Sequence, residues 1–268
     1  MDNPSNFLEF AIKTAKEAGR IQMSYFGNIS SLEKKSTNID LLTKADIESE
    51  KYIINQIRTT YPEHSILSEE AGDLSSSSEY LWVIDPLDGT TNFTHNLPIF
   101  AVSIGLVKKG VKTLCGVVYN PAVDKCFYAE ENKGAFLDGK AIKCTSSNTL
   151  SDSLLVTGFP YLHDNRYDIS FEIFKEFYDR TRGIRRLGAA SLDLCFVAMG
   201  RFDGYYEYKL KAWDICAGSL IASEAGAKVT DWDNSKLPHD GSRILATNGL
   251  IHDEMVKILN QEKYSLYY

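Results

Sequence analysis

Asp85 and Asp88 lie within the stretch Trp82-Val83-Ile84-Asp85-Pro86-Leu87-Asp88-Gly89-Thr90-Thr91-Asn92-Phe93. Tyr80 to Ile84 is a short apolar run bounded by turn residues and reads as a buried strand, so Asp85 emerges where a rigid element ends. Pro86 fixes its own φ and biases Asp85 towards an extended conformation. With Pro at the second position of a turn, Asp85 and Asp88 come to the same side, and Gly89 tolerates the exit geometry. Two carboxylates forced together repel each other, an arrangement that makes sense if a divalent cation lies between them. Gly89-Thr90-Thr91 offers backbone N–H groups and hydroxyls, and a helix starting there could hold a phosphate at its N-terminus. A cation beside an anion cradle has the parts of metal-assisted phosphate chemistry. The plainer alternative is a capped turn, since Asp and Thr-Asn are ordinary loop residues.

Other acids have alternatives of their own. Ser68-Glu69-Glu70-Ala71-Gly72 places two carboxylates before a glycine and, standing alone, reads as a solvated charged turn. Asp214, in Lys211-Ala212-Trp213-Asp214-Ile215-Cys216-Ala217-Gly218, sits at a helix start, where Asp is a favoured N-cap. Thr43-x-x-Asp46 matches a capping box.

The elements that must position these acids are legible in part. Leu8, Ala11, Ile12, Ala15, Ala18, Ile21 and Tyr25 recur at helical spacing, and Gly27 closes that helix. Ser30 to Asp40 reads as a surface loop. A second helix is expected from about Asp46 to Thr60, with Ile47, Ile53, Ile54 and Ile57 inward, ended by Tyr61-Pro62. Phe100–Val107 and Leu114–Tyr119 read as strands of a hairpin through Lys108-Lys109-Gly110, continued by Lys125–Ala129 and Ala135–Leu137. After Thr149 strands at Leu154–Thr157 and Gly204–Glu207 alternate with helices at Ala189–Met199, Asp214–Glu224 and Leu250–Leu259. This predicts a mixed α/β (α+β) protein in two halves, residues 1–148 carrying the main acidic motif and 149–268 completing the site.

Composition narrows the function. The 268 residues are 44% hydrophobic and 24% charged, as in soluble globular proteins. A net charge of -7 opposes a broad phosphate-backbone interface, which argues against nucleic acid as partner. No run approaches the roughly 18 apolar residues of a membrane helix. The N-terminus lacks the pattern of a secretory signal, and the expected compartment is the cytoplasm. Five cysteines without a C-x-x-C pair argue against a disulfide framework or thiolate zinc site. The histidines, His64, His95, His163, His239 and His252, show no metal-ligand spacing.

In combination and in this order, Asp40-Leu41-Leu42-Thr43-Lys44-Ala45-Asp46, Ser68-Glu69-Glu70, the Trp82–Phe93 block, Leu187-Gly188-Ala189-Ala190-Ser191-Leu192-Asp193-Leu194 and Trp213-Asp214-Ile215-Cys216-Ala217-Gly218-Ser219 resemble the inositol monophosphatase family. The resemblance covers essentially the whole chain. It implies a layered αβαβα fold and Mg2+-dependent hydrolysis of small phosphate monoesters of polyols or sugars, by a homodimer inhibited by lithium. Carried over, the metal ligands are Glu69, Asp85, Asp88, Asp214 and the carbonyl of Leu87, an all-oxygen set suited to hard Mg2+. Two to three ions are implied, with paired ions about 3.5–4 Å apart. One ion, held partly by Glu69, would acidify a water that Thr90, hydrogen-bonded to Asp46, orients and deprotonates for direct in-line attack. Gly89 and Thr90 would hold the phosphate through backbone N–H groups, Glu207 a substrate hydroxyl, and Ala190 a backbone contact. Lys35 falls in a loop that lies over the metal site in relatives.

Lys209 and Lys211 depart from that pattern, since relatives often carry Gly and a non-basic residue there. They read as surface charge or as a preference for a second phosphate. Arg185 and Arg186 raise the same question, alongside dimer contacts or an ion pair. Inositol 1-phosphate is the leading substrate; fructose 1,6-bisphosphate, a 3′-phosphorylated nucleotide and histidinol phosphate are the alternatives, and a regulatory, non-catalytic descendant is a further one. An aspartyl-nucleophile phosphatase needs two acids separated by one residue, a spacing Asp85 and Asp88 do not have. A helix-loop-helix calcium site needs alternating acids and a final Glu, which Asp85 to Phe93 lacks.

Overall fold

A computed structural model describes residues 4–27, 32–34, 41–160, 164, 166–238 and 242–267. Lys35 and Asp40, His163 and His239 lie outside the described residues, as does most of the expected Ser30–Asp40 loop. Helix α1 (Pro4–Tyr25) turns Phe7, Ala11, Ala15 and Ala18 inward, and Gly27 follows with φ 86°. A short ribbon of β1 (Leu32–Lys34) and β2 (Leu41–Thr43) leads into α2 (Lys44–Thr60).

The α2 face differs from the expected one. Ile53 and Ile57 are buried, but Ile47 and Ile54 are only half-buried, and the inward positions include Asp46, Ser49 and Glu50. Residues 46, 49, 50, 53 and 57 do share one helical face. A polar N-terminal half of that face follows because it faces the acids described below, while its C-terminal half joins the apolar core.

The large sheet contains β3 (Ser65–Ser68), β4 (Gly72–Leu74), β5 (Tyr80–Asp88), β6 (Ala101–Lys108), β7 (Lys112–Asn120), β8 (Lys125–Glu130), β9 (Ala135–Leu137) and β10 (Lys140–Ala141) in the order β10-β9-β8-β7-β6-β5-β3-β4, with α3 (Thr90–Thr94) between β5 and β6. Pairing is antiparallel except between β3 and β5. The smaller sheet, order β12-β11-β13-β15-β14, is built from β11 (Leu154–Thr157), β12 (Gly183–Arg185), β13 (Gly204–Tyr208), β14 (Lys228–Thr230) and β15 (Arg243–Thr247). Here β12, β11 and β13 run parallel, and β15 is antiparallel to both β13 and β14. The remaining helices are α4 (Tyr167–Arg180), α5 (Ala190–Ala198), α6 (Ala212–Glu224) and α7 (His252–Leu259).

Strand alternation sorts these elements into layers. Val102, Ile104 and Leu106 of β6 pack with Trp82 and Ile84 against α1 and α2. On the opposite face Ala101, Val118 and Phe127 meet α5 and α6, which also cover Val156, Tyr205, Ile244 and Ala246 of the small sheet. The far face of that sheet, with Leu155, Tyr206 and Leu245, packs against Ile173 and Phe177 of α4 and Met255 and Ile258 of α7. The result is the αβαβα sandwich expected from the resemblance. Strands β3, β12, β14 and β15 went unrecognised in the sequence, being short; helix α4 also went unrecognised, although its buried Ser170, Ile173 and Phe177 recur at helical spacing. Among the described residues no helix is long and apolar enough to cross a membrane.

Helix α6 lies close on the large sheet because Gly116 of β7 has no side chain beneath Ala217. A Cβ on Gly116 would stand 2.9 Å from both Cα and O of Ala217. Gly116→Ala should therefore lift α6, destabilising the protein by about 1–3 kcal/mol, the usual range for overpacking. Urea unfolding checks this, and an unchanged midpoint and slope would mean that the contact yields without cost.

Candidate active site

Asp85 and Asp88 face the same way for a reason other than the expected turn. Strand β5 runs on to Asp88, with Asp85 opposite Ser103 and Asp88 opposite Ala101. Three steps along β5 thus match two along β6, a bulge at Pro86-Leu87. Side chains three apart on a regular strand point to opposite faces, and the extra residue restores them to one face. Pro86 has no N–H to give to the ladder, so the bulge falls where pairing is already broken. That face is the one covered by α5 and α6.

Each neighbouring acid arrives by a separate route. Strands β3 and β5 run parallel with Ser68 opposite Ile84, and the Glu69 N–H donates to the Ile84 carbonyl at 3.3 Å, bringing Glu69 alongside Asp85. Glu50 of α2 supports this turn: its Oε1 accepts from Ser68 Oγ at 2.5 Å and from the amides of Glu70 and Ala71 at 3.0 and 2.9 Å. Asp214 lies in the first turn of α6, where its Oδ2 accepts the Lys211 N–H at 2.6 Å. It therefore caps its helix as the third residue rather than as the N-cap expected from sequence, and faces the other acids as well. Ala190 opens α5, and the N–H and Oγ of the next residue, Ser191, donate to Asp88 Oδ2 at 2.8 and 2.5 Å. Asp85 Oδ1 accepts the Leu87 N–H at 3.0 Å.

Electrostatics show that these groups converge. The Asp85 pKa is driven well up, first by burial and then by the charges of Glu69, Asp88, Asp214 and Asp46. Burial likewise raises Asp214, with Asp88 and Glu69 adding to it. Asp88 is pushed by burial to about 6 despite the bonds from Ser191 that favour its ionised form. Asp46 is fully buried at the start of α2, and the Thr90 hydroxyl, at the start of α3, donates to the Leu87 carbonyl at 3.1 Å. Gly89 makes that entry possible with φ 91°, in a space where a Cβ would lie 2.8 Å from the Ile99 carbonyl.

This donor set fits a hard cation. Asp85 and Asp214 each commit one oxygen to a backbone N–H, while the other makes no hydrogen bond to a described residue. Buried, mutually repelling carboxylates are stabilised in their ionised form by a nearby cation. Among the described residues no three or more His, Cys, Asp or Glu side chains form a ready ligand group for one ion. A cation held here would need the Leu87 carbonyl and water or substrate oxygens as well, the usual manner of Mg2+.

Glu207 is at the end of β13, and its Oε2 accepts the Tyr205 hydroxyl at 2.6 Å. Burial raises it to about 7, opposed by the Tyr205 bond and by Arg186. Arg186 also opposes the burial-driven rise at Asp193, so it acts as a counter-charge to these two acids. Lys211 serves as the N-cap of α6, and Lys209 pairs with Asp164 at 2.6 Å.

Glu50, Ser191 and Tyr205 were missed in the sequence. Glu50 shares the inward face of α2 with Asp46, Ser191 follows a helix start, and Tyr205 precedes Glu207 by two on a strand. Those spacings are the only signals that could have found them.

The inositol monophosphatase family model matches residues 3–264. An inositol monophosphatase of Anabaena (Nostoc) sp. PCC 7120 superimposes with a TM-score of 0.85 at 42% identity, covering 96% of each chain. A fructose-1,6-bisphosphatase/inositol-1-monophosphatase of Thermotoga maritima is 36% identical over 95% of this chain and 96% of the relative. The Nus factor SuhB of Pasteurella multocida is 42% identical over 84% of this chain and 85% of its own length. The αβαβα sandwich and these likenesses make the chain a phosphomonoester hydrolase. It belongs to the inositol monophosphatase family, whose members are generally metal-dependent.

The raised pKa values fix the sign of a pH effect. A folded acid whose pKa exceeds its unfolded value binds the extra proton in the folded state, so stability falls as pH rises through that interval. Asp88 at about 6 and Glu207 at about 7 act this way, with Asp85, Asp193 and Asp214 raised further. His252, lowered by burial to about 4 from 6.5, acts oppositely but only below its ordinary value. From about pH 6.5 to 8 the melting temperature of chelator-treated protein should therefore fall. Calorimetry that found it rising there would show these carboxylates to be compensated within the protein.

Proposed function

We propose that the chain hydrolyses a small polyol or sugar phosphate monoester, inositol 1-phosphate foremost, with Mg2+ and by direct attack of water. The carrying observation is the convergence of Glu69 from the turn after β3, Asp85 and Asp88 from β5, and Asp214 from α6, around the buried Asp85–Asp88 pair. These side chains and the Leu87 carbonyl would hold two to three ions. Bound Mg2+ supplies Lewis-acid activation of water and neutralises charge on the phosphate and leaving oxygen.

The chain's own groups do the rest. The amides of Gly89 and Thr90 would hold phosphate oxygens. Thr90, steadied by the Leu87 carbonyl, and Asp46 form the pair that orients the attacking water and takes its proton. The new P–O bond forms as the ester P–O bond breaks, and the leaving alkoxide takes up a proton to become the alcohol. Tyr205 occupies Oε2 of Glu207, which leaves Oε1 to a substrate hydroxyl, and Ala190 adds a backbone contact. Lys35 belongs to this reading through the family alone, as do the homodimer, lithium inhibition and the cytoplasm.

Fructose 1,6-bisphosphate, a 3′-phosphorylated nucleotide and histidinol phosphate are the alternative substrates. Similarity to a protein named as a Nus factor supports a second, regulatory reading. The complete acid set supports catalysis.

Phosphate release from inositol 1-phosphate should require Mg2+, and Asp88→Asn should lower kcat by about a hundredfold or more while the protein still folds. Near-normal turnover in that variant would dismiss the assignment. In 18O-labelled water one label should enter the released phosphate with no phosphoenzyme trapped; a trapped phospho-aspartate would replace this mechanism with a covalent one.

A further inference from the structure

The inward stripe of α1 runs Phe7, Ala11, Ala15 and Ala18, and the next position on that face is Gln22. An amide stands there where the period calls for an apolar residue, and it is 0% exposed. Its Nε2 donates to the Pro86 carbonyl at 2.5 Å, across 64 residues of chain. Its Oε1 makes no hydrogen bond to a described residue, although an unpaired buried amide oxygen costs stability. The N–H end is therefore the end this position uses.

The carbonyl it meets belongs to the bulge of β5. Pro86 and Leu87 together stand opposite Val102 alone, between the Asp85–Ser103 and Asp88–Ala101 pairs. Buried backbone groups that a bulge takes out of the ladder need partners from elsewhere. The Pro86 carbonyl and the Leu87 N–H are the two ends of one planar peptide unit, and in a trans peptide they point in opposite directions. Gln22 holds the oxygen end, and Asp85 Oδ1 accepts the N–H end at 3.0 Å. The orientation of that plane thus couples α1 to the Asp85 carboxylate. The helix is close enough to make the bond: a Cβ on Gly19, one turn earlier, would lie 2.6 Å from Cε1 of Tyr119 on β7. Beyond Gln22, Tyr25 and Phe26 pack with Leu87, Phe93 and Phe100.

We infer that Gln22 is a positioning residue for cation binding: its amide fixes the Pro86–Leu87 peptide plane and, through the Leu87 N–H, the Asp85 carboxylate, so that the other Asp85 oxygen is presented to the cation. The inference rests on the Mg2+ dependence in the reading above. A methionine at this position fills similar space without a donor, leaving the peptide free to turn and the N–H free to leave Asp85.

Calorimetric titration of Mg2+ into the chelator-treated full chain, alongside phosphate release from inositol 1-phosphate, tests it. Gln22→Met should raise both the Kd for Mg2+ and the Mg2+ concentration for half-maximal release by about tenfold, as loss of support behind a metal ligand does. At saturating Mg2+, KM for inositol 1-phosphate should change less than about twofold. Ala15→Gly loosens the same helix away from the bulge, and should lower the melting temperature with Mg2+ affinity unchanged. A Gln22→Met protein with a lowered melting temperature but wild-type Mg2+ affinity would overturn the inference. So would an equal loss of affinity in Ala15→Gly, the mark of general loosening. In 15N-labelled wild-type protein the Gln22 side-chain amide should shift during the Mg2+ titration with the same midpoint as the Leu87 amide. An unmoved Gln22 amide would overturn the inference without needing any variant to fold. Wild-type protein that binds Mg2+ yet hydrolyses no monoester would bring down the hydrolase reading alone, whereas one that binds no Mg2+ would bring down both.

Discussion

Like charge held in a buried place is the constraint on which this structure depends. Asp85 and Asp88 are buried and drawn together with the half-buried Glu69 and Asp214, where repulsion and desolvation both favour separation or protonation. Each aspartate is therefore tied down by bonds the chain cannot easily release: the Leu87 amide on Asp85, the Ser191 amide and hydroxyl on Asp88, and the Lys211 amide on Asp214. The bulge at Pro86 is part of the same solution, since it puts both acids of β5 on one face without ending the strand. The arrangement is stable as a scaffold and unsatisfied as a set of charges, the state in which a divalent cation gains most by binding.

The central helical layer joins that cluster to the rest of the molecule. Helices α5 and α6 pack against both sheets, so their N-terminal turns are set by contacts on two sides at once. Small residues make the approach possible: Gly116 lets α6 rest on β7, and Gly218 brings α6 close to Leu194 of α5. On the other side of the large sheet, α2 carries a polar patch of Asp46, Ser49 and Glu50 within its buried face. Glu50 spends its oxygen on the turn that presents Glu69. The convergent acids are thus braced from both sides of one sheet.

A second, weaker electrostatic system lies around the end of β13. Glu207, Asp193 and Arg186 balance one another beside the acid cluster, and Asp164, Arg166 and Lys209 form a separate group just past that strand. In the proposed reading, phosphate chemistry and recognition of the remainder of the substrate would therefore fall to different strands: β3 and β5 for the first, β13 for the second. Relatives of one fold can change what they accept at the second edge while leaving the first intact, which fits a family whose members are named for different phosphate esters.

Much of this was legible from residue order because local rules govern it. Helical spacing marked α1, α5 and α6, alternation marked β6 to β9, and the Asp85–Phe93 block marked the chemistry. That the acids gather was expected from the turn and the resemblance, but the local geometry that puts them on one face was not legible. Asp85 and Asp88 looked like ends of a turn, because a bulge is defined by its partner strand and β6 is distant along the chain until pairing occurs. Standing alone Glu69 read as a solvated turn and only the resemblance made it a ligand, whereas the parallel pairing of β3 with β5 sets it beside Asp85; Lys209 read as surface charge or as a preference for a second phosphate, whereas the structure pairs it with Asp164. Sequence by itself determined which acids and hydroxyls this protein possesses and the elements that carry them. Tertiary structure alone decided which of them share a face and a low-dielectric space, because that proximity is a property of strand pairing and layer packing and of no local stretch of chain.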